Sequence, residues 1–256
     1  MIKRHTKILE VLARDQRIKV SALAELLDVS QVTIRKDLDQ LEERGLICRI
    51  HGYASLKAAD DVGNRMAFNY AIKKRIAKAA AETVEDGETI MIESGSCCAF
   101  LAEELAASGK DVTIVTNSAF IAGFVRHTPK LKIVLLGGYY QPDSQVLVGP
   151  MTSKCGEIFF SDKFFIGVDG FIPDFGFTGK DHMRVETVIA LAEQTQGVIV
   201  LTDSEKFRHP GALGLVNFDK VISVYTDDRI PQEAESVLLN NNIILHKVPE
   251  HDIEND

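Results

Sequence analysis

The chain has 256 residues, enough for one large domain or for a small one joined to a medium one. Its 45% hydrophobic content fits an ordinary soluble globular protein, and no apolar run approaches the ~20 residues needed to cross a bilayer, which excludes a membrane-embedded class. Four scattered cysteines exclude a disulfide framework, and a net charge of -8 is unpromising for a polyanion partner unless the charge is uneven.

The charge is uneven. Through Lys57 there are 11 Lys and Arg against 8 Asp and Glu, and the remainder carries 18 against 29. DNA affinity depends on local phosphate neutralisation, and an acidic body repels DNA from every face but one. The plain alternative is ordinary surface charge. The N-terminal stretch MIKRHTKILEVLARD is basic and amphipathic, with no long apolar core or small-residue cleavage site, so no secretory signal is expected and the cytoplasm is the expected compartment.

Ile8, Leu9, Val11 and Leu12 lie on one side of a first helix over residues 3–14. Leu23, Leu26 and Leu27 mark a second, with Ser21 as its N-cap, and Asp28-Val29 makes a turn. Ser30 caps a third helix, in which Ile34, Leu38 and Leu41 recur at i, i+4, i+7 and face inward. Gln31, Val32, Arg35 and Lys36 are left on the outer or flanking faces, with Thr33 to one side. Gly45 ends the helix. Two short apolar runs, 46–50 and 53–56, hinge at His51-Gly52 and predict a β-hairpin.

Three helices and a hairpin make a winged helix-turn-helix, whose third helix enters the major groove of double-stranded DNA. Ser30, Gln31, Val32, Thr33, Arg35 and Lys36 form the candidate reading end. Arg35 and Lys36 suit phosphates or guanine edges, and Gln31 suits adenine. Arg49 and His51 on the hairpin reach phosphate or the minor groove. A small helical protein-interaction domain is the competing reading.

The stretch VSALAELLDVSQVTIRKDLDQLEERGLICRIHGYA resembles the N-terminal domain of the DeoR/GlpR family of bacterial transcriptional regulators. The pattern Val-Ser-x-x-Thr-Ile-Arg-Arg/Lys-Asp-Leu, Leu-Glu-x-x-Gly and Arg-x-His-Gly-Gly-Ala is matched at Val29, Ser30, Thr33–Leu38, Leu41, Glu42, Gly45, Arg49, His51, Gly52 and Ala54. Tyr53 replaces the second glycine of the wing. Asp37 is read as structural, because a carboxylate repels phosphate.

Residues 58–71 have little periodicity and are read as a linker between a DNA-binding domain over 1–57 and a larger domain over 72–256. Residues 72–84 predict a helix. Strands and helices then alternate: apolar runs at 88–93, 112–117, 132–137, 163–168, 198–203, 220–226 and 243–248, and helices near 98–107, 118–126, 184–196 and 232–239. This predicts an α/β domain with a mostly parallel sheet covered on both faces. Ligands of such sheets sit beyond the strands' carboxyl ends. The polar loops there are Glu93-Ser94-Gly95-Ser96-Cys97, Thr116-Asn117-Ser118, Gly137-Gly138, Asp169-Gly170 and Asp203-Ser204-Glu205-Lys206. A strand, Ser-Gly-Ser and a helix start make an anion site, in which Gly95 lets the ligand approach. Any one such Ser is usually only a cap. Five loops together suggest a small polar, phosphorylated ligand.

The resemblance continues here. The family's Asp-x-Gly-Thr-Thr, Thr-Asn-Ser, Gly-Gly, Gly-Phe-Thr and Asp-Ser-Ser-Lys-Phe are answered by Glu93–Cys97, Thr116–Ser118, Gly137-Gly138, Gly176–Thr178 and Asp203–Phe207. It implies a domain similar in fold to sugar-phosphate isomerases that senses a phosphorylated sugar effector in a homo-oligomer. By the same carry-over Ser94, Gly95, Ser96 and Cys97 cradle phosphate, and Asn117, Asp169 and Lys206 meet hydroxyls or phosphate, with Thr116 and Gly138 in the adjoining loops.

Two other functions compete. An isomerase needs a general base, for which Glu93, Asp169 and Glu186 are candidates by type, but the Lys-Gly-x-Gly-Gly-Ala stretch of ribose-phosphate isomerases is missing. A redox sensor would use Cys97 and Cys98, whose place at a helix N-terminus lowers thiol pKa. The histidines show no metal spacing, so neither metal nor cofactor is expected. The tail HKVPEHDIEND is polar and acidic and is expected to fray.

Overall fold

Ile8, Leu9 and Leu12 fall on one side of α1 (Ile2–Asp15), and all three are fully buried. A short strand, β1 (Arg17–Lys19), leads into α2 (Val20–Leu26), and a tight turn leads into α3 (Gln31–Glu43). Ile34, Leu38 and Leu41 of α3 are wholly inside, as their spacing requires. The Ser30 side chain caps α3 by accepting from the Thr33 N–H at 3.1 Å. Ser21 does not cap α2: the helix starts at Val20, with Lys19 at the cap position and no side-chain cap.

The wing is β2 (Cys48–Ile50) and β3 (Tyr53–Ser55), with β1 completing a three-stranded antiparallel sheet in the order β1-β3-β2. No sequence signal announced β1, since three residues are too few to show a period. His51 and Gly52 both take positive φ, +49° and +81°, which is the two-residue turn that matches strand twist. Tyr53 lies after the turn, paired with Ile50 and Lys19, so this position needs no glycine.

The computed structural model describes residues 2–56 and 60–249, and the chain divides into two compact units, Met1–Ala71 and Ile72–Asp256. The stretch expected as a linker holds a helix, α4 (Val62–Ala67), whose Val62 and Met66 are fully buried. Asp61 caps it, accepting from the Gly63 N–H at 2.9 Å. Six residues with one i, i+4 apolar pair are too short a pattern to stand out from a loop. Residues 57–59 of that stretch lie outside the described residues.

The second unit opens with α5 (Tyr70–Ala81) and continues through β4 (Thr89–Ile92), α6 (Ser96–Ser108), β5 (Val112–Thr116), α7 (Ala119–Phe124) and β6 (Leu131–Leu135). A ribbon of β7 (Tyr139–Gln141) and β8 (Val146–Val148) precedes α8 (Pro150–Gly156) and β9 (Ser161–Ile166). Then come β10 (Gly170–Ile172), β11 (Gly176–Gly179), α9 (His182–Ala192), β12 (Thr195–Leu201), β13 (Leu213–Val216), β14 (Val221–Asp227), α10 (Gln232–Asn240) and β15 (Ile244–Val248). Val248 and the two residues before it, the start of the tail expected to fray, thus belong to a strand; residues 250–256 lie outside the described residues.

All seven apolar runs enter one parallel sheet in the order β15-β14-β12-β9-β4-β5-β6. Phe164, Phe165 and Ile166 of β9 are fully buried, as continuous apolar strands under two layers must be. From β4 the chain winds one way to β5 and β6, then returns to β9 and winds the other way. The reversal between β4 and β9 is a topological switch point, where ligands of such sheets bind. A small antiparallel sheet, β10-β11-β13, sits beside it around Phe171, Phe177, Phe207 and Phe218, whose ring centroids lie 5.2–6.4 Å apart.

Candidate functional site

Two constellations matter, one in each unit. In the first, Gln31, Val32, Arg35 and Lys36 are exposed on α3. Ser30 and Thr33 are engaged with each other, their hydroxyl oxygens 2.9 Å apart, so they set the start of the helix. Gln31 and Arg35 line a cleft of about 760 Å³ together with Arg49 and His51 of the wing. Arg49 is not free: its guanidinium pairs with Asp39, and its N–H donates to Glu42 Oε1 at 2.9 Å. It therefore fastens the wing to α3. Asp37 is buried and structural. It accepts from Arg4 through both oxygens, Nη2 to Oδ1 being 2.8 Å, and lies 3.3 Å from His5 Nε2. Burial pushes the Asp37 carboxyl up, but Arg4 and His5 together offset this and hold it below the usual range. Burial outweighs Asp37 at His5 and holds its pKa below the ordinary value.

In the second unit, the loop after β4 meets the loop after β9 at the switch point. Glu93 Oε1 accepts from the Ser94 hydroxyl at 2.6 Å, and Oε2 accepts from the Gly167 N–H at 3.3 Å. A Cβ on Gly95 would lie 2.9 Å from the Gly167 Cα. The close approach of the two loops therefore requires glycine at this position, and the Ser94 hydroxyl is engaged by Glu93. No side chain caps α6, a 13-residue helix whose start at Ser96 presents the positive end of its dipole.

Around that helix start lie groups from three other elements. Lys73 of α5 is buried, its Nζ 3.7 Å from Asp203 Oδ2 beyond β12. Asp203 is buried too, and its Oδ1 has no hydrogen-bond partner. Lys206 follows on a short 3₁₀ turn, Ser204–Arg208, whose Ser204 N–H donates to Asp227 Oδ2 at 2.7 Å. Burial pushes the Cys97 thiol up to about 12, against the fields of Lys73 and Lys206, which places all three together. On the far side of the β4 loop, buried Asn117 donates from Nδ2 to Leu147 O at 3.1 Å and leaves Oδ1 without a partner. Thr116 Oγ1 is taken by the Ser118 N–H, Gly138 packs on Thr152, and half-buried Asp169 accepts from the Lys180 N–H at 3.0 Å. Each of these three thus has one contact within the loops.

Residues 4–58 match the DeoR-like helix-turn-helix domain, and residues 68–228, more than half of the chain, match the DeoR C terminal sensor domain. The chain belongs to the DeoR family. It is a transcriptional regulator with a DNA-binding domain followed by a sensor domain. It is 29% identical to the HTH-type transcriptional regulator GolR of Listeria innocua serovar 6a, over 89% of this chain and 91% of that one. It is also 29% identical to the glycerol-3-phosphate regulon repressor of Escherichia coli K12, over 95% of this chain and 97% of that one. Ribose 5-phosphate isomerase A from Methanocaldococcus jannaschii is similar over 54% of this chain and 55% of that one, at 20% identity and TM-score 0.40.

Within this DeoR-family chain the competing readings lose their ground. Of the three candidate bases, Glu93 is tied into the loops, Asp169 is bonded to a backbone N–H, and Glu186 is exposed 3.6 Å from His182. The redox reading placed Cys97 where a helix dipole lowers its pKa; burial does the opposite and keeps the thiol protonated. Cys98 donates to Phe165 O at 3.6 Å and is equally buried. Lys73 is the residue that sequence reasoning missed. It sits in the run Ile72-Lys73-Lys74-Arg75, where nothing but tertiary burial singles it out. Among the described residues no helix is long and apolar enough to cross a membrane, and no group of three or more His, Cys, Asp or Glu is placed to hold a metal ion.

Proposed function

We propose that this regulator represses a sugar-catabolic operon and is released from double-stranded operator DNA by a phosphorylated sugar. It acts in the cytoplasm, as a homo-oligomer on paired half-sites. The DNA face is Ser30, Gln31, Val32, Thr33, Arg35 and Lys36 with His51 of the wing, which Arg49 fastens in place. The effector site is the switch-point cluster. The phosphate takes the start of α6 at Ser96 and Cys97, above the Ser94–Gly95 loop, with Lys73 and Lys206 as cations. Asp203 and Asn117 accept from sugar hydroxyls, with Asp169, Thr116 and Gly138 holding the neighbouring loops.

One observation carries this reading. Asp203 Oδ1 is buried beside the buried Lys73 and has no hydrogen-bond partner, a costly state that a hydroxylated ligand relieves. Such an acceptor next to two lysines and an uncapped helix start fits a molecule with hydroxyls at one end and a phosphate at the other. The name of the glycerol-3-phosphate regulon repressor points to the same ligand class.

The test is a melting experiment on the full chain against a panel of sugar phosphates, each beside its unphosphorylated sugar. Ligand at ~100 times its dissociation constant should stabilise by about 2.7 kcal/mol and raise the melting point. A rise with the phosphate alone is the expected result. No rise with any of the panel would withdraw the sugar-phosphate assignment.

A further inference from the structure

The three-stranded wing sheet has two faces. Residues at alternate positions share a face, so Arg17 and Lys19 of β1 fall together, in register with Ser55 and Tyr53 of β3. Ile18 and Ala54 point the other way, and Ala54 is fully buried. The Arg17 guanidinium stands 4.0 Å from the Tyr53 ring centroid and the Lys19 ammonium 5.9 Å from it, so one ring carries two cations. Both cations are exposed, and Tyr53 is half-buried. The shelf adjoins the DNA face: Lys19 is the cap position of α2, Val20 donates from its N–H to Gly52 O at the wing tip at 3.0 Å, and Val20 and Gly52 both line the cleft that holds Arg35.

We propose that Arg17 and Lys19, held on Tyr53, form a second DNA-backbone contact on the wing, binding phosphodiester oxygens beside the groove entered by α3. The proposal rests on the DNA-binding reading above. Its logic is division of labour. Arg49, the wing cation that the sequence pattern points to, is spent on Asp39 and positions the wing. Among the described residues Arg17 and Lys19 face an aromatic ring and no carboxylate, so their charge is available to a phosphate. A cation over a ring keeps its donors at the edge available, and the ring limits the side-chain freedom that phosphate binding would otherwise have to freeze out. Such contacts fix position and add affinity without reading sequence.

The experiment measures binding of the full chain to a 30-base-pair mixed-sequence duplex, and to a site selected by the full chain from a random duplex pool, across a salt series. Each phosphate contact adds about 0.9 to the slope of log affinity on log salt. Arg17→Gln with Lys19→Gln should reduce that slope by up to about 1.8 on both duplexes and leave their affinity ratio unchanged. Tyr53→Ala should weaken both by about two- to fivefold, and Tyr53→Phe, which keeps the ring, should recover the loss. An unchanged slope in the double variant, with Arg35→Ala still impaired, overturns the shelf and leaves the DNA face standing. A changed affinity ratio would make the shelf a sequence reader and overturn the backbone assignment. If neither the double variant nor Arg35→Ala alters binding, the DNA face itself is wrong. A melting curve of each variant separates lost contact from lost fold.

Discussion

Arg35 and Arg49 line the same cleft, yet they are different residues chemically. Arg35 is exposed on α3, whereas Arg49 is already paired with Asp39. Arg35→Ala should therefore remove a contact and little else. Operator affinity should fall by about 1–3 kcal/mol if the contact is to a guanine edge, with specificity relaxed at that base. If it is to phosphate, the salt slope should fall by about 0.9. Equal affinities for variant and wild type in a fluorescence titration would remove Arg35 from the interface. Arg49→Ala, by contrast, should also loosen the wing. Cys97 makes the opposite point, that position in a helix does not decide reactivity. Burial disfavours the charged form and pushes the Cys97 pKa up to about 12, so the thiol stays protonated near neutral pH. DNA binding should be equally insensitive to peroxide in wild type and in Cys97→Ser. Peroxide-driven release in wild type that the substitution abolishes would restore the sensor reading.

At the scale of the element, α3 is tied to α1 through Asp37, which gathers Arg4 and His5. The folded-state pKa of Asp37 is lowered, so its contribution is present above the ordinary carboxylate range and is lost as pH falls through the folded value. His5 is also lowered: the unfolded chain binds its proton more readily, so stability falls as pH drops below about 6.5. Both act in one direction, so the first unit should weaken on acidification, through His5 below about pH 6.5 and through Asp37 below about pH 4. Asp37→Asn should cost about 1–3 kcal/mol at pH 7 and flatten the carboxylate part of that pH dependence. A parallel pH profile in the variant would show that Asp37 does not anchor α3. Asp37 is also where the sequence could be read well, since a carboxylate on a DNA helix has to be explained by something inside. The seven sheet strands were legible for a similar reason: burial on both faces makes each a continuous apolar run. The strands β1, β7, β8, β10, β11 and β13 were not, because three or four residues cannot show a period, and the equally short β2 and β3 were legible only through the His51-Gly52 hinge between them. The polar loops of the proposed effector site stood out at strand ends, but their division of labour did not. Gly95 and Ser94 are engaged in loop packing, and Lys73 reaches buried Asp203 from a helix whose basic neighbours look alike in sequence. Lys74, beside it, pairs with Glu103 and Glu104.

At the scale of the whole molecule, the two units are useful together only if the effector alters affinity for DNA, and that coupling is reciprocal. If a sugar phosphate weakens operator binding by some factor, typically ~5–150, operator DNA must weaken sugar-phosphate binding by the same factor. The two ligands therefore report on each other, and a site residue can be sorted by which part of the curve it moves. Lys206 is half-buried on the turn after β12, near enough to Cys97 to act on its charge, and Asp227 holds the start of that turn through the Ser204 N–H. Lys206→Ala should leave operator affinity without effector at its wild-type value, because the change lies in the sensor unit. Losing one charge-assisted contact of about 1.5–3 kcal/mol should raise the effector concentration for half-release by roughly 10- to 150-fold. If Lys206 contributes only binding, the plateau of release at saturating effector stays where it was, since equal losses in the DNA-bound and free states leave the coupling intact. A lowered plateau would instead mean that Lys206 meets the phosphate better in the released state and helps to drive the switch. An unshifted curve would place the phosphate elsewhere, and the same titration on Asp203→Asn would then show whether the orphaned carboxylate oxygen belongs to the site without it.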